Sequence, residues 1–82
     1  MLNLLIKTVT VKVFGQLADN TRLAEWQMQA TDTADLQEQI GKLYPVLQSK
    51  NYLIAVNEFI VNGNTILEEN DMVALLPPFS GG

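Results

Sequence analysis

The stretch Met72-Val73-Ala74-Leu75-Leu76 is apolar on both of its alternating faces, and Pro77-Pro78 follow it directly. A strand of that composition suits a central place in a sheet, with neighbours on either side. Proline ends it, because proline has no N–H to give to a ladder and its φ is fixed. The chain therefore leaves the sheet at residue 77 in a stiff extended form, and Phe79-Ser80-Gly81-Gly82 project from the body, so that residues 77–82 are expected to form a flexible tail.

The residues before this strand supply its neighbours. Over residues 8–14, Val9, Val11 and Val13 share one face while Thr8, Thr10, Lys12 and Phe14 share the other, the period of a half-buried strand. Over residues 23–30, Ala24, Trp26, Met28 and Ala30 alternate with Glu25, Gln27 and Gln29, and the polar connection 16–22 is short enough to pair this strand antiparallel with the first. At Thr31-Asp32-Thr33 the period changes. Leu36, Ile40, Leu43, Tyr44 and Leu47 recur at helical spacing, Asp32 or Thr33 caps the N-terminus, and Asp35 and Glu38 suit its positive end. Pro45 ends the helix near Leu43 or Tyr44, after about three turns. Apolar runs at 53–57 and 59–61, a turn at Asn62-Gly63-Asn64, the stretch Thr65-Ile66-Leu67, the acidic turn Glu68-Glu69-Asn70-Asp71 and the final strand 72–76 complete the order β-β-α-β-β-β.

A chain of 82 residues holds one core, so residues 1–82 form a single domain. The economical packing is an α+β fold, a mixed four- to five-stranded sheet with one main helix packed on one face. If the last strand pairs with the first, the arrangement is a β-grasp, the ubiquitin-like fold.

Composition narrows the chemistry. Nine acidic residues outweigh five basic ones for a net charge of -4, and Lys7, Lys12, Arg22, Lys42 and Lys50 are scattered. Nucleic-acid binding needs grouped cations that neutralise phosphates, so no nucleic-acid partner is expected. With no cysteine and no histidine, disulfides, thiolate nucleophiles, the usual zinc ligands and the commonest near-neutral acid–base group drop out. The apolar start Met1 to Ile6 meets its first charge only at Lys7, unlike a secretory signal, and falls far short of the roughly 20 residues that span a membrane. A cytoplasmic protein with no membrane partner is expected.

That leaves the backbone carboxylate of Gly82 as the candidate reactive group. Two residues without Cβ can thread a narrow channel in another protein and leave the carboxylate unhindered. A carboxylate becomes an acyl donor once coupled to a leaving group, as in an acyl-adenylate made from ATP. On this reading Pro77, Pro78, Phe79, Ser80 and Gly81 are the arm and Gly82 its working end. The alternative is an inert tail.

Leu53-Ile54-Ala55-Val56-Asn57, together with the run from Leu67-Glu68-Glu69-Asn70-Asp71 to Gly82, resembles the MoaD family, the small subunits of molybdopterin synthase. An "AVN" strand, an acidic "D-x-VA" turn and a "PP-x-[ST]-GG" ending recur there. Val13-Phe14-Gly15-Gln16-Leu17 is similar to the end of that family's first strand. The likeness extends over residues 9–82, although Met1 to Lys7 precede the first strand where family members carry one or two residues. The resemblance implies a sulfur carrier of molybdenum cofactor biosynthesis. Its Gly82 would be adenylated by a ubiquitin-activating-type adenylyltransferase using ATP, converted to a thiocarboxylate and inserted into the large synthase subunit, where sulfur passes to the pyranopterin precursor. It further implies a heterotetramer with two large subunits at its centre, no bound cofactor, and an active site in the large subunit. The competing assignments are a sulfur carrier for thiamine or tRNA thiolation and a ubiquitin-like modifier joined through Gly82 to lysines.

Strand parity adds one expectation. Phe14 shares the face of Thr10 and Lys12, and Leu76 shares that of Met72 and Ala74, opposite Val73 and Leu75. If the helix covers Val73 and Leu75, then Phe14 and Leu76 emerge beside the tail as an apolar patch that Ile60 joins, either a partner-binding surface or the finished edge of the core. Glu68, Glu69 and Asp71 lack the spacing of a calcium loop and read as a solvated turn, so no metal is expected. Trp26 and Met28 read as core.

Overall fold

Three alternate valines set the sheet. Val9, Val11 and Val13 are buried, while Thr8, Thr10 and Lys12 between them stay partly accessible. A computed structural model describes residues 6–21 and 23–78. The elements run β1 (Lys7–Val13), a first 3-10 helix (Gly15–Asn20), β2 (Glu25–Ala30), α1 (Thr33–Leu43), a second 3-10 helix (Pro45–Ser49), β3 (Leu53–Val56), β4 (Phe59–Ile60) and β5 (Met72–Leu76).

These strands form one five-stranded sheet in the order β2-β1-β5-β3-β4. β5 is central, as its two apolar faces require. It runs parallel to β1 and antiparallel to β3, and β1 pairs antiparallel with β2. This is the β-grasp arrangement. Register aligns Val11 with Val73 and Val13 with Leu75 on one side, and Ile54 with Leu75 and Val56 with Val73 on the other. Leu36 and Ile40 of α1 close over that face, with Leu17 and Leu47 from the two 3-10 helices and Leu67 sealing its margins. Leu36, Ile40, Leu67, Val73 and Leu75 have no measurable exposure, and burying a side chain of this size contributes about 1.5–3 kcal/mol before entropy is counted.

Asp32 caps α1. Its Oδ1 accepts the Asp35 N–H at 2.8 Å, and Asp35 Oδ2 reaches back to the Thr31 N–H at 2.9 Å, a near relative of the reciprocal capping box. Asn64 reinforces the cap from outside: its Oδ1 accepts the Ala34 N–H at 2.9 Å and its Nδ2 donates to Asp32 Oδ2 at 3.1 Å. The Asp35 N–H and, secondarily, the Asn64 amide hold the Asp32 carboxyl below its ordinary value.

Pro45 ends the helix where the sequence places its end, and two expectations change, those for Asp71 and for Trp26 with Met28. Leu47 lies on the second 3-10 helix, because Pro45 ends the α-helical hydrogen bonding. Residues 65–67 form no strand of the sheet. They meet the start of α1 through an isolated bridge between Asp32 and Ile66, with Thr33 N–H on the Thr65 carbonyl at 2.9 Å and Leu67 N–H on the Thr31 carbonyl at 3.1 Å. The Asp71 side chain is buried rather than solvated: its Oδ2 accepts the Glu68 N–H and its Oδ1 the Asn57 amide, both at 2.8 Å. Trp26 and Met28 are half-buried against the core rather than within it, and the Trp26 ring lies 5.6 Å from that of Tyr44.

Candidate functional site

The site grows from the place where β5 stops. Asn57 and Asp71 fix where β5 starts, since Asn57 Oδ1 accepts the Met72 N–H at 3.0 Å while its amide binds Asp71. The asparagine of the "AVN" stretch and the aspartate of the "D-x-VA" stretch are thus direct hydrogen-bond partners. Their spacing follows from the reversal at Asn57-Glu58, both at positive φ (49° and 76°), which folds β4 back on β3. At the other end of β5 the ladder to β1 runs one residue past β1, with Phe14 N–H on the Leu75 carbonyl at 3.0 Å. Pro77 follows, half-buried, and Pro78 is exposed. Phe79, Ser80, Gly81 and Gly82 lie outside the described residues.

The helix covers the Val73 and Leu75 face, so the other face of the sheet is open, as parity requires. Leu76 pairs with Leu53, Ala74 with Ala55, and Ala55 with Ile60. Lys12 pairs with Ala74, which sets Phe14 beside Leu76. Phe14 is 45% exposed and Ile60 51% exposed. The open face therefore carries Phe14, Leu76 and Leu53 in one row, with Lys12, Ala74, Ala55 and Ile60 in the next. Phe14 and Leu76 are neighbours. Ile60 joins them only across β3.

Leu53 was missed among the candidates. Its signal was available, because Ile54 and Val56 alternate with it, but the orientation of β3 depends on its register with β5, which adjacent residues do not encode. Phe59 is more exposed than either candidate, at 76%, yet it pairs with Val56 and so lies on the helix side of the sheet.

The chemistry at this end is sparse. Gln16, Asn20, Ser49, Lys50 and Asn51 line the cleft beside Pro77 and Pro78, and no carboxylate or imidazole is among them. Among the described residues no cluster could hold a metal ion, and no helix is long and apolar enough to cross a membrane. The arrangement suits delivery: an apolar patch to dock on, with the central strand ending at Leu76 on its margin.

A model of the ThiS family matches residues 11–82. The molybdopterin synthase sulfur carrier subunit of Mycobacterium tuberculosis (strain ATCC 25618 / H37Rv) is 35% identical over 80 residues, covering 90% of this chain and 96% of that protein. Among solved structures, the complex of subunits 1 and 2 of molybdopterin-converting factor from Helicobacter pylori 26695 contains a chain that matches with a TM-score of 0.71 at 26% identity, covering 92% of this chain and 99% of that one. The small archaeal modifier protein 1 from Methanosarcina acetivorans matches with a TM-score of 0.80 at 23% identity, covering 94% and 98%, a likeness of fold alone.

Proposed function

The chain belongs to the ThiS family and to the molybdopterin synthase small-subunit family that its motifs resemble, and on that premise we propose that it is the sulfur carrier of molybdopterin synthesis. One observation carries the reading: β5 releases the chain at Pro77, at the margin of an open apolar face built from Phe14, Leu76, Leu53 and Ile60. A face of that kind docks a partner, and the residues after Pro77 are then directed past the docked surface.

In the proposed cycle a Gly82 carboxylate oxygen attacks the α-phosphate of ATP on a ubiquitin-activating-type adenylyltransferase, releasing pyrophosphate. A sulfide equivalent displaces AMP and leaves a thiocarboxylate. The large synthase subunit binds the open face, takes Gly81-Gly82 into its channel and holds the pyranopterin precursor, which receives the sulfur. The thiocarboxylate sulfur bonds to the precursor in place of an oxygen substituent, water then cleaves the acyl C–S bond, and the small subunit leaves with its Gly82 carboxylate restored, to be charged again. Two such subunits flank two large ones. Docking energy from the apolar face positions the reactive group without side chains near it, which raises the effective concentration of the sulfur at its acceptor.

Intact-mass measurement tests the cycle. Incubation with the activating enzyme, ATP and a sulfur donor should add the mass of one oxygen-to-sulfur exchange, and deletion of Gly82 should abolish the gain. No gain with the full chain, or a ladder of lysine adducts on cellular proteins that vanishes with Gly82, would contradict it.

A further inference from the structure

Gly15 lies against the first residue of the tail. Phe14 N–H makes the last ladder bond from β1 to β5. In a parallel ladder of this spacing the next donor on β5 would be residue 77, which is a proline, so pairing stops there. Gly15 turns the chain away with φ +62°, and a Cβ built on it would stand 2.6 Å from Pro77 Cγ and 3.4 Å from Pro77 Cδ. Carbon atoms do not pack that closely. Any side chain at position 15 must therefore displace the pyrrolidine. A change of ring pucker moves Cγ while the other ring atoms stay nearly in place, and whatever the pucker does not absorb moves the ring nitrogen and Cα, which belong to the main chain. Space exists for that movement, since Pro77 and Pro78 border a cleft of about 270 Å³ shared with Leu17, Asn20, Ser49 and Lys50.

We infer that Gly15 is the positioning residue of the tail: its missing Cβ lets the Pro77 ring seat against the end of β1, and this contact sets the direction in which the chain leaves the sheet. Gly15 thus has two constraints, positive φ and the proline above it. The direction of exit is independent of what the tail carries. Its effect on sulfur delivery rests on the function proposed above.

The test uses the full chain with Gly15→Ala, Gly15→Asn, Pro77→Ala and the double variant Gly15→Asn/Pro77→Ala. Asparagine tolerates positive φ but has a Cβ, so it separates collision from backbone strain. With no native cysteine, Ser80→Cys takes a nitroxide at one site, and broadening of backbone amides maps where the tail points. Gly15→Ala and Gly15→Asn should change the broadening at Ser49, Lys50 and Asn51 by about twofold, because a proline displaced by about 1 Å swings the label further still. In the Pro77→Ala background, Gly15→Asn should change nothing. A map unaltered by both Gly15 variants, or altered equally in the two backgrounds, overturns the inference. In reconstituted synthase, Gly15→Asn should lower the sulfur-transfer rate about tenfold while affinity for the large subunit stays within about twofold. An unchanged rate with a changed map overturns the link to delivery. A wild-type chain that transfers no sulfur, with the map behaving as expected, overturns the functional reading and supports the positional one.

Discussion

The two faces of β5 are built from the same kinds of residue and serve opposite ends. Val73 and Leu75 point under α1 and are fully buried, whereas Met72, Ala74 and Leu76, one step away along the same strand, remain partly accessible. Composition does not separate the two sets; the single helix does. A sheet with one helix has one face left over, and here that face is polar over β1 and β2, with Thr10, Lys12, Glu25 and Gln27, but apolar over β5, β3 and β4, where solvent contact alone would favour polar groups. Stability and recognition are thereby assigned to alternate residues of one strand, and substitutions on the two faces should behave differently.

The largest effect is expected on the helix side. Leu36→Ala should destabilise the fold by about 2–5 kcal/mol in urea unfolding, because it leaves a cavity between α1 and the buried valines. Next comes the start of β5, from which both faces run. Asp71→Ala strands the Glu68 N–H and the Asn57 amide and should cost about 1–3 kcal/mol by the same measurement. On the open side, Phe14→Ala/Ile60→Ala should change unfolding free energy by no more than about 0.5 kcal/mol while weakening affinity for the large subunit at least about tenfold by calorimetry. Equal losses of stability from the open-face and helix-face variants would erase the distinction.

The smallest effect is at the cap. The folded-state pKa of Asp32 lies below the ordinary 3.8, so its contribution is present above pH 3.8 and is lost as pH falls through the folded value. Melting curves of the wild type and Asp32→Asn should differ at neutral pH and converge in acid.

Much of this division was legible in the sequence. The alternation of Val9, Val11 and Val13 fixed the parity of β1, Pro45 and Asp32 bounded the helix, and Pro77-Pro78 marked the exit. What escaped notice depends on contacts between distant residues. Asn57 and Asp71 are 14 positions apart and each looks like a loop residue until β3 and β5 align. Thr65-Ile66-Leu67 has strand composition, yet Thr33 and Asn64 draw it to the helix N-terminus instead. Glu58 takes a left-handed conformation that its residue type gives no reason to expect. The role of Gly15 was hidden for the same reason, since only the parallel pairing of β1 with β5 brings it to Pro77.

The central proposal, that the fold presents an arm whose working end is Gly82, meets its most direct test in cells. A strain lacking the native gene should be supplied with either the full chain or the Gly82-deleted chain, and molybdopterin should be measured. Deletion of Gly82 should abolish molybdopterin formation while leaving the melting temperature of the purified protein unchanged. Molybdopterin made at the full rate by the shortened chain would contradict it.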